Sequence, residues 1–136
     1  MTNSTVPHLT VIVGSSFGAG TYGMSGRAFG NRFTFIWPNS KIAVMGPKQI
    51  AGVMSMVRRG QAARAGIAFD EEADRTISER AEAEQEAESL ALQATGAISD
   101  DGIIDPRDTR TVLDLVLQAI HSATVQGSNS YGVFRM

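Results

Sequence analysis

The sequence predicts an α/β fold for this chain of 136 residues. Three observations support the prediction. Short β-branched runs end at glycine or proline, longer segments place apolar residues at helical spacing, and the two kinds of segment alternate along the chain. Such alternation is typical of folds in which helices cover a sheet. The length corresponds to one domain or to part of one.

Four strands are predicted, each beside residues that favour turns. Residues 8–13 form a β-branched run that stops at a glycine. Residues 33–37 and 41–45 follow, and a Pro-Asn turn separates them. The apolar residues 103–104, after an Asp-Asp-Gly turn, predict a short last strand.

Four helices are predicted around these strands. The first covers about residues 20–29 and is short or irregular because of its glycines. The second covers residues 47–60, with a proline at its first position. Residues 70–95 form a long helix whose glutamates predict a solvated face rather than a metal or catalytic cluster. The last begins at the Asp-Pro-Arg-Asp stretch 105–108 and runs to residue 121.

Two further segments are expected to pack through apolar side chains. The second helix carries an apolar stripe at helical spacing. Its members are Ile50, Val53, Met54 and Val57. The last fifteen residues form a polar tail, in which Tyr131 and Phe134 are the candidate anchors.

The net charge of −2 conceals a division between the two halves of the chain. Residues 1–69 hold seven Lys or Arg and no Asp or Glu, a charge of +7, whereas residues 70–136 hold five basic and 14 acidic residues, a charge of −9. Either the halves neutralise each other in the fold, or the basic half faces an anion such as a phosphorylated ligand. The basic residues are too scattered to predict a nucleic-acid site.

Composition excludes several classes of protein. The chain has no cysteine, so it forms no disulfide, thiolate metal site or cysteine nucleophile. No apolar run approaches the roughly 20 residues of a membrane helix, and the first residues lack the pattern of a signal peptide. We therefore expect no membrane association, no metal, and a cytoplasmic location, or the mitochondrial matrix in a eukaryote.

The stretch VIVGSSFGAGTYG matches two active-site motifs at once. Residues 14–18 have the G-x-S-x-G pattern of a nucleophile elbow centred on Ser16, but the only downstream histidine is His121, which is expected to be a helix-terminal cation. Residues 18–23 have the G-x-G-x-x-G dinucleotide pattern. That motif requires a carboxylate about 20 residues later, and no acidic residue precedes residue 70. Both motifs are therefore weak predictions.

The physical feature that the two motifs share is a better guide. Both consist of a strand, a tight glycine turn and a helix start, which leaves backbone N–H groups pointing toward solvent. Such a turn binds an anion or stabilises an oxygen on which charge develops. The alternative is a glycine turn that only packs closely.

Four motifs along the chain closely resemble one protein family. GSSFGAGTYGMSGRA at 14–28, FIWPN at 35–39, IAVMG at 42–46 and DGIIDPRDTR at 101–110 resemble the carboxyltransferase (β) subunits of biotin-dependent acyl-CoA carboxylases, especially those for methylcrotonyl-CoA and geranyl-CoA. The resemblance implies a partial crotonase-like (ClpP-like) ββα superhelix. Residues 1–136 would be the C-terminal part of the second, biotin-side domain, without the acyl-CoA domain.

The resemblance also implies a reaction and a site. The family moves a carboxyl group from carboxybiotin to an acyl-CoA enolate, using backbone oxyanion holes. Here the backbone N–H groups of Ala19 and Gly20 would bind the ureido oxygen of biotin. The biotin-binding turn would include Phe17, Gly18, Thr21 and Tyr22. Arg27 and Lys48 are candidate contacts to an anionic part of a ligand.

The implied partners are further copies of the subunit, a biotin carboxylase and biotin carrier subunit, and an acyl-CoA. The short length favours a cloned fragment, a split gene product or a mis-started frame, inactive alone and with apolar surface exposed. Two alternatives remain open at this point. One is a truncated, non-catalytic association fragment of such a subunit, and the other is a small dinucleotide-binding domain.

Overall fold

The computed structural model describes residues 3–128, 130 and 132–133. Four strands and five α-helices are assigned in these residues, together with two short 3₁₀ turns at Arg27–Phe29 and Pro106–Asp108. The strands are β1 (Leu9–Ile12), β2 (Ser15–Phe17), β3 (Phe33–Ile36) and β4 (Lys41–Ala43). The helices are α1 (Ala19–Gly23), α2 (Pro47–Ala65), α3 (Glu71–Glu88), α4 (Ala91–Gly96) and α5 (Thr109–His121).

The chain repeats a strand–strand–helix unit. β1 and β2 precede α1, and β3 and β4 precede α2. Corresponding strands pair in parallel, with Leu9 opposite Phe33 in one sheet and Ser15 opposite Lys41 in the other. Ile103 adds a parallel bridge to Ile36 shortly before α5. This stacking of ββα units confirms the α/β class and the partial crotonase-like superhelix.

The turn between β3 and β4 joins the two small sheets. The Ser40 side chain is 1% exposed and donates a hydrogen bond to the Ile12 carbonyl at 2.8 Å. The N–H of Trp37 donates to the same carbonyl at 2.9 Å, and the N–H of Lys41 donates to the Gly14 carbonyl at 3.2 Å. The Pro-Asn turn therefore changes sheet without leaving these buried polar groups unpaired.

Two apolar clusters cover opposite faces of β3. On one face the fully buried Ile36 packs with Ile12 and with Ala91 of α4. On the other face Phe35 packs with Ile104 and with other side chains that include Val116 of α5. Side chains alternate across a strand, so the consecutive residues 35 and 36 reach separate clusters. β3 is therefore the central strand of the described structure.

α2 and α3 form a long hairpin that is held by polar contacts. Asp74 is buried and accepts hydrogen bonds from Ser55 Oγ and Arg58 Nε, both at 2.6 Å. The Asp70 carboxylate caps α3 by accepting from the N–H groups of Glu72 and Ala73. α2 continues beyond its predicted end at residue 60 and ends at Ala65, where Gly66 adopts the left-handed conformation that terminates the helix.

The stripe expected to pack from α2 is largely uncovered. Val53, Met54 and Val57 are each between 41% and 53% exposed, and Met56 is 72% exposed. Only Ala51 of this helix is buried. The prediction of helical spacing was right, but the described part of the chain supplies no core for that face.

Several predicted boundaries were wrong. β2 lies inside the segment expected to be only a turn, and residues 24–26 interrupt the helix predicted for 20–29. The Ser25 backbone, at φ +68°, is outside the helical region. The helix predicted for 70–95 is divided between α3 and α4, because Leu90 is extended and bridges Lys41.

The remaining predictions at the ends of the chain have mixed outcomes. The strand predicted for 41–45 ends at residue 43, and the one predicted for 103–104 is a single bridge. Tyr131 and Phe134 lie outside the described residues. Among the residues that are described, no helix has both the length and the apolar character required to cross a membrane.

Candidate functional site

The glycine turn between β2 and α1 has a backbone that requires glycine. Gly18, the N-cap of α1, has φ +70° and ψ −154°, a combination that L side chains disfavour strongly. Its N–H donates to the Ala43 carbonyl at 3.2 Å, and its own carbonyl accepts from the N–H of Thr21 at 3.2 Å. The turn is therefore attached to β4 on one side and to the first turn of α1 on the other.

Two N–H donors lie at this turn without an acceptor. The first N–H groups of a helix have no intrahelical partner, and no described residue accepts a hydrogen bond from the N–H of Ala19 or Gly20. Both residues are exposed, and the first turn of α1 contains no acidic side chain. This arrangement suits one oxygen that carries or gains negative charge.

A cavity of about 450 Å³ lies beside the turn. Gly18, Thr21 and Tyr22 line one side, Ile42 lies on β4, and Ala94 of α4 lines another part of the wall. Ala19 and Gly20 do not line this cavity. Phe17 does not line it either. The predicted turn residues are therefore contiguous, but they divide between the cavity wall and the neighbouring surface.

Ser16 has no histidine partner in the described structure. Its Oγ lies 2.8 Å from the Oγ1 of Thr21. His8 is hydrogen-bonded to Ser4 at 3.0 Å, and His121 is the last residue of α5. A nucleophile elbow requires an imidazole within hydrogen-bond reach of the serine, so these residues do not assemble the catalytic pair that G-x-S-x-G suggests.

Arg27 lines the cavity but already has a carboxylate partner. Its Nη2 lies 2.6 Å from Oδ1 of Asp101. The other oxygen of Asp101 accepts from the N–H of Thr34 at 2.7 Å, and the N–H of Asp101 donates to the Thr34 carbonyl. Arg27 is thus compensated within the chain. Lys48 lies exposed in the first turn of α2, and no described carboxylate forms an ion pair with it.

Ion pairs connect the basic first half to the acidic second half. Four of the seven basic residues in the first half pair with acids of the second half. The pairs are Arg27–Asp101, Lys41–Glu86, Arg58–Asp74 and Arg59–Glu71. Mutual neutralisation is therefore confirmed for these four. Arg32, Lys48 and Arg64 have no ion-pair partner among residues 3–128.

The hydrogen bonds and ion pairs of the α2–α3 hairpin shift the pKa values of Asp74 and Arg59. The hydrogen bond from Ser55, assisted by Arg58, lowers the pKa of Asp74 against the opposing effect of burial. The hydrogen bond with Glu71 raises the pKa of Arg59, whose guanidinium also lies 4.4 Å from the centre of the Phe69 ring. These charges belong to the hairpin and not to the glycine turn.

Sequence reasoning missed two features of the site. The Ser16–Thr21 hydroxyl contact joins residues five positions apart, and the link from Asp101 to Arg27 spans 74 positions. A pair of hydroxyl residues flanking a glycine turn is a local signal that was available for the first. No local pattern signals the second, because it depends on the stacking of separate ββα units.

Comparison with known proteins gives consistent matches. A family model described as the carboxyl transferase domain matches residues 1–131. A Mycobacterium tuberculosis protein described as a probable biotin-dependent acyl-coenzyme A carboxylase beta2 subunit is 51% identical over 136 residues, which are 100% of this chain and 26% of that protein.

Solved structures agree. The β subunit of P. aeruginosa geranyl-CoA carboxylase superposes with a TM-score of 0.76 and 36% identity over 96% of this chain and 24% of its own. The transcarboxylase 12S hexamer gives a TM-score of 0.68 and 28% identity over 97% and 24%.

These matches establish the family that the four motifs suggested. The chain spans about a quarter of the length of the relatives and structures that it matches. The family model covers nearly all of the chain. The chain therefore belongs to the carboxyltransferase family that includes the β subunits of biotin-dependent acyl-CoA carboxylases.

Proposed function

We propose that this chain forms the biotin-facing part of a carboxyltransferase site, which transfers a carboxyl group from carboxybiotin to an acyl-CoA enolate. The observation that carries the proposal is the pair of N–H groups at Ala19 and Gly20. They lack an acceptor among the described residues and follow a glycine whose conformation fixes the turn. The biotin would be carried on a partner subunit or domain, and the site would contain no metal.

The residues present fit a ureido ring. The oxygen of the ring gains negative charge in the reaction, and the turn offers it two neighbouring N–H donors with no acidic side chain in the same helical turn. When bound, carboxybiotin supplies the carboxyl group that is transferred. The N–H groups of Ala19 and Gly20 would donate to the ureido oxygen and stabilise the negative charge that develops there. Each donor of this kind contributes on the order of 3 kcal/mol to a reaction barrier.

The remaining turn residues would position the ring. Gly18 permits the close turn, while Phe17, Thr21 and Tyr22 surround it on β2 and α1. Phe17 also lies near Gly46 at the start of α2, where a side-chain carbon added to the glycine would lie 3.5 Å from the Phe17 ring. Of the two candidate anion contacts, Arg27 lines the cavity but is paired with Asp101, whereas Lys48 has no ion-pair partner among the described residues.

The proposed partners are other copies of the subunit, a biotin carboxylase and biotin carrier subunit, and an acyl-CoA. Exposed apolar side chains on α2 and α5 support association, since isolated soluble domains rarely expose such surfaces. One structural neighbour is a hexamer that was solved with hydrolysed methylmalonyl-CoA bound. The cytoplasm remains the proposed location.

A second candidate is an association fragment without activity. The same exposed apolar surface favours it. It would keep the fold and the subunit contacts but would lack the other half of the site. The two candidates differ in one measurable property, which is carboxyl transfer.

The test is carboxyl transfer from a carboxylated acyl-CoA to free biotin, followed with a radiolabelled carboxyl group. The chain is assayed alone and after addition of the remaining part of a related carboxyltransferase subunit. Gly20→Pro deletes one donor, whereas Gly20→Ala keeps it in a position where a side-chain carbon meets nothing within 4 Å. We expect Gly20→Pro to reduce transfer by about 100-fold or more, and Gly20→Ala to stay near the unmodified chain.

Two results would count against these proposals. Full transfer in folded Gly20→Pro would exclude the backbone oxyanion hole. Absence of transfer by the complemented, unmodified chain would exclude the enzyme and leave the association fragment. Circular dichroism of each variant checks that the fold is retained.

A further inference from the structure

Two hydroxyl groups face each other across the glycine turn. Ser16 Oγ on β2 and Thr21 Oγ1 on α1 are 2.8 Å apart, and both residues are partly buried. Both also line the cavity of about 450 Å³. The pair therefore belongs to the wall of a space large enough for a small ring, immediately beside Gly18.

A count of protons leaves one donor unused. The two hydroxyls carry two O–H groups, and their mutual hydrogen bond uses one of them. No other hydrogen bond is formed by either hydroxyl with a described residue. Thr10, on the same cavity wall, differs because its hydroxyl donates to the Ser25 carbonyl at 2.9 Å. Unlike Thr10, the Ser16–Thr21 pair thus keeps an O–H group for a ligand.

The surroundings make this donor selective. Ile12, Ile42 and Ala94 line the same cavity. A ligand atom that displaces water from the pair without accepting its hydrogen bond would leave a polar group unsatisfied. A ligand with an acceptor oxygen would instead satisfy this donor, in a cavity whose wall also includes polar residues such as Gln93 and Ser99.

We propose that the Ser16–Thr21 hydroxyl pair is a specificity-determining element that donates a hydrogen bond to the oxygen of a bound cyclic urea. This inference rests on the proposed function, because it assumes that the ring binds at the turn. It assigns side chains to a recognition role beside the backbone donors. A ring that carries sulfur in place of the ureido oxygen accepts hydrogen bonds weakly and loses this contact.

The experiment compares two ligands on the full chain. Biotin methyl ester and its 2-thio analogue are titrated separately, and Kd is measured by NMR. The double variant Ser16→Ala/Thr21→Val removes both hydroxyls, while Thr21→Ser keeps both. Thr76→Val/Ser122→Ala is the matched control, since these hydroxyls donate to carbonyls within their own helical segments.

We expect the Ser16/Thr21 double variant to bind biotin methyl ester about fivefold more weakly, with little change for the 2-thio analogue. Thr21→Ser and the matched control should keep the original preference. A merely structural role would weaken both ligands equally, and that result would overturn the inference, as would an unchanged preference. If the double variant fails to fold, Ser16→Ala alone is measured against the same criterion.

Failure of the proposed function gives a different result. In that case the unmodified chain binds neither ligand, and both the ring site and the hydroxyl contact are overturned. If the unmodified chain binds biotin methyl ester but the double variant keeps the preference of the unmodified chain for this ligand over the 2-thio analogue, only the hydroxyl contact is overturned.

Discussion

Gly18 carries the backbone geometry on which the proposed site depends. A side-chain carbon at this position would meet only the Val44 carbonyl, at an ordinary distance of 3.6 Å. Space therefore does not explain the glycine. The explanation is its φ of +70° together with an extended ψ, a region that costs other residues about 1–3 kcal/mol.

We expect Gly18→Ala to destabilise the chain or distort the turn, lowering the free energy of unfolding by about 1–3 kcal/mol. Urea unfolding followed by circular dichroism measures the change. Gly20→Ala is the control, because Gly20 has neither a positive φ nor a crowded environment. Equal effects of the two substitutions would show that the turn does not depend on the conformation of Gly18.

At the scale of secondary-structure elements, the α2–α3 hairpin depends on a buried carboxylate. Asp74 accepts hydrogen bonds from Ser55 and Arg58, and its pKa is lowered, chiefly by the Ser55 hydrogen bond. A carboxyl group whose pKa in the folded state lies below its pKa in the unfolded state stabilises the fold at pH values above the unfolded-state pKa. That stabilisation is lost as the pH falls through the pKa of the folded state.

We therefore expect the hairpin to be stabilised by Asp74 at neutral pH and to lose this contribution below the ordinary aspartate pKa of about 4. Asp74→Asn should destabilise the chain at pH 7, and the difference from the unmodified chain should shrink in acid. Thermal unfolding across this pH range measures it, with the exposed Glu79→Gln as control. If the stability difference between Asp74→Asn and the unmodified chain does not change with pH, the destabilisation comes from lost packing and not from the charge of Asp74.

Elements whose boundaries are set by neighbouring residues could be predicted from the sequence, whereas those set by long-range contacts could not. Pro47 favours the start of α2 as its first residue, and Asp70 caps α3, so both starts depend on local signals and were predicted to within a residue. The break at Leu90 was not, since it follows from a long-range bridge to Lys41. β2 was missed because its polar Ser-Ser pair lacks a strand pattern and depends on pairing with β4.

The same distinction applies to the site. The glycine turn and its N–H donors are local, so residues 14–23 were sufficient to predict them. The pairing of Arg27 with Asp101 needed the packed fold. At the scale of the whole molecule, four ion pairs between the two halves offset part of the charge division of the sequence, although nothing in the sequence specified which residues would meet.

The uncovered apolar surface is the main whole-molecule property. Met56 of α2 is 72% exposed and Leu115 of α5 is 66% exposed. Burial of a large apolar side chain contributes about 1.5–3 kcal/mol, so association that covers several of them is favourable.

We expect the chain to self-associate at micromolar concentration in size-exclusion chromatography with light scattering. Met56→Lys and Leu115→Lys, made separately, should each be tested for a shift toward monomer, and at least one should show it. Thr76→Lys on the exposed face of α3 is the charge control. A monomer at every concentration tested would argue against the proposed homo-oligomer.

The parallel pairing of successive units has a further consequence for assembly. Among the described residues, β1 pairs only with β3 and β2 only with β4, so each first-unit strand keeps one unpaired edge. An open edge is a template for another strand, and a crossover unit of the same kind fits it without altering the units already formed. Further ββα units can therefore be added to the superhelix one after another. A strand of another polypeptide can therefore extend this edge by β-augmentation.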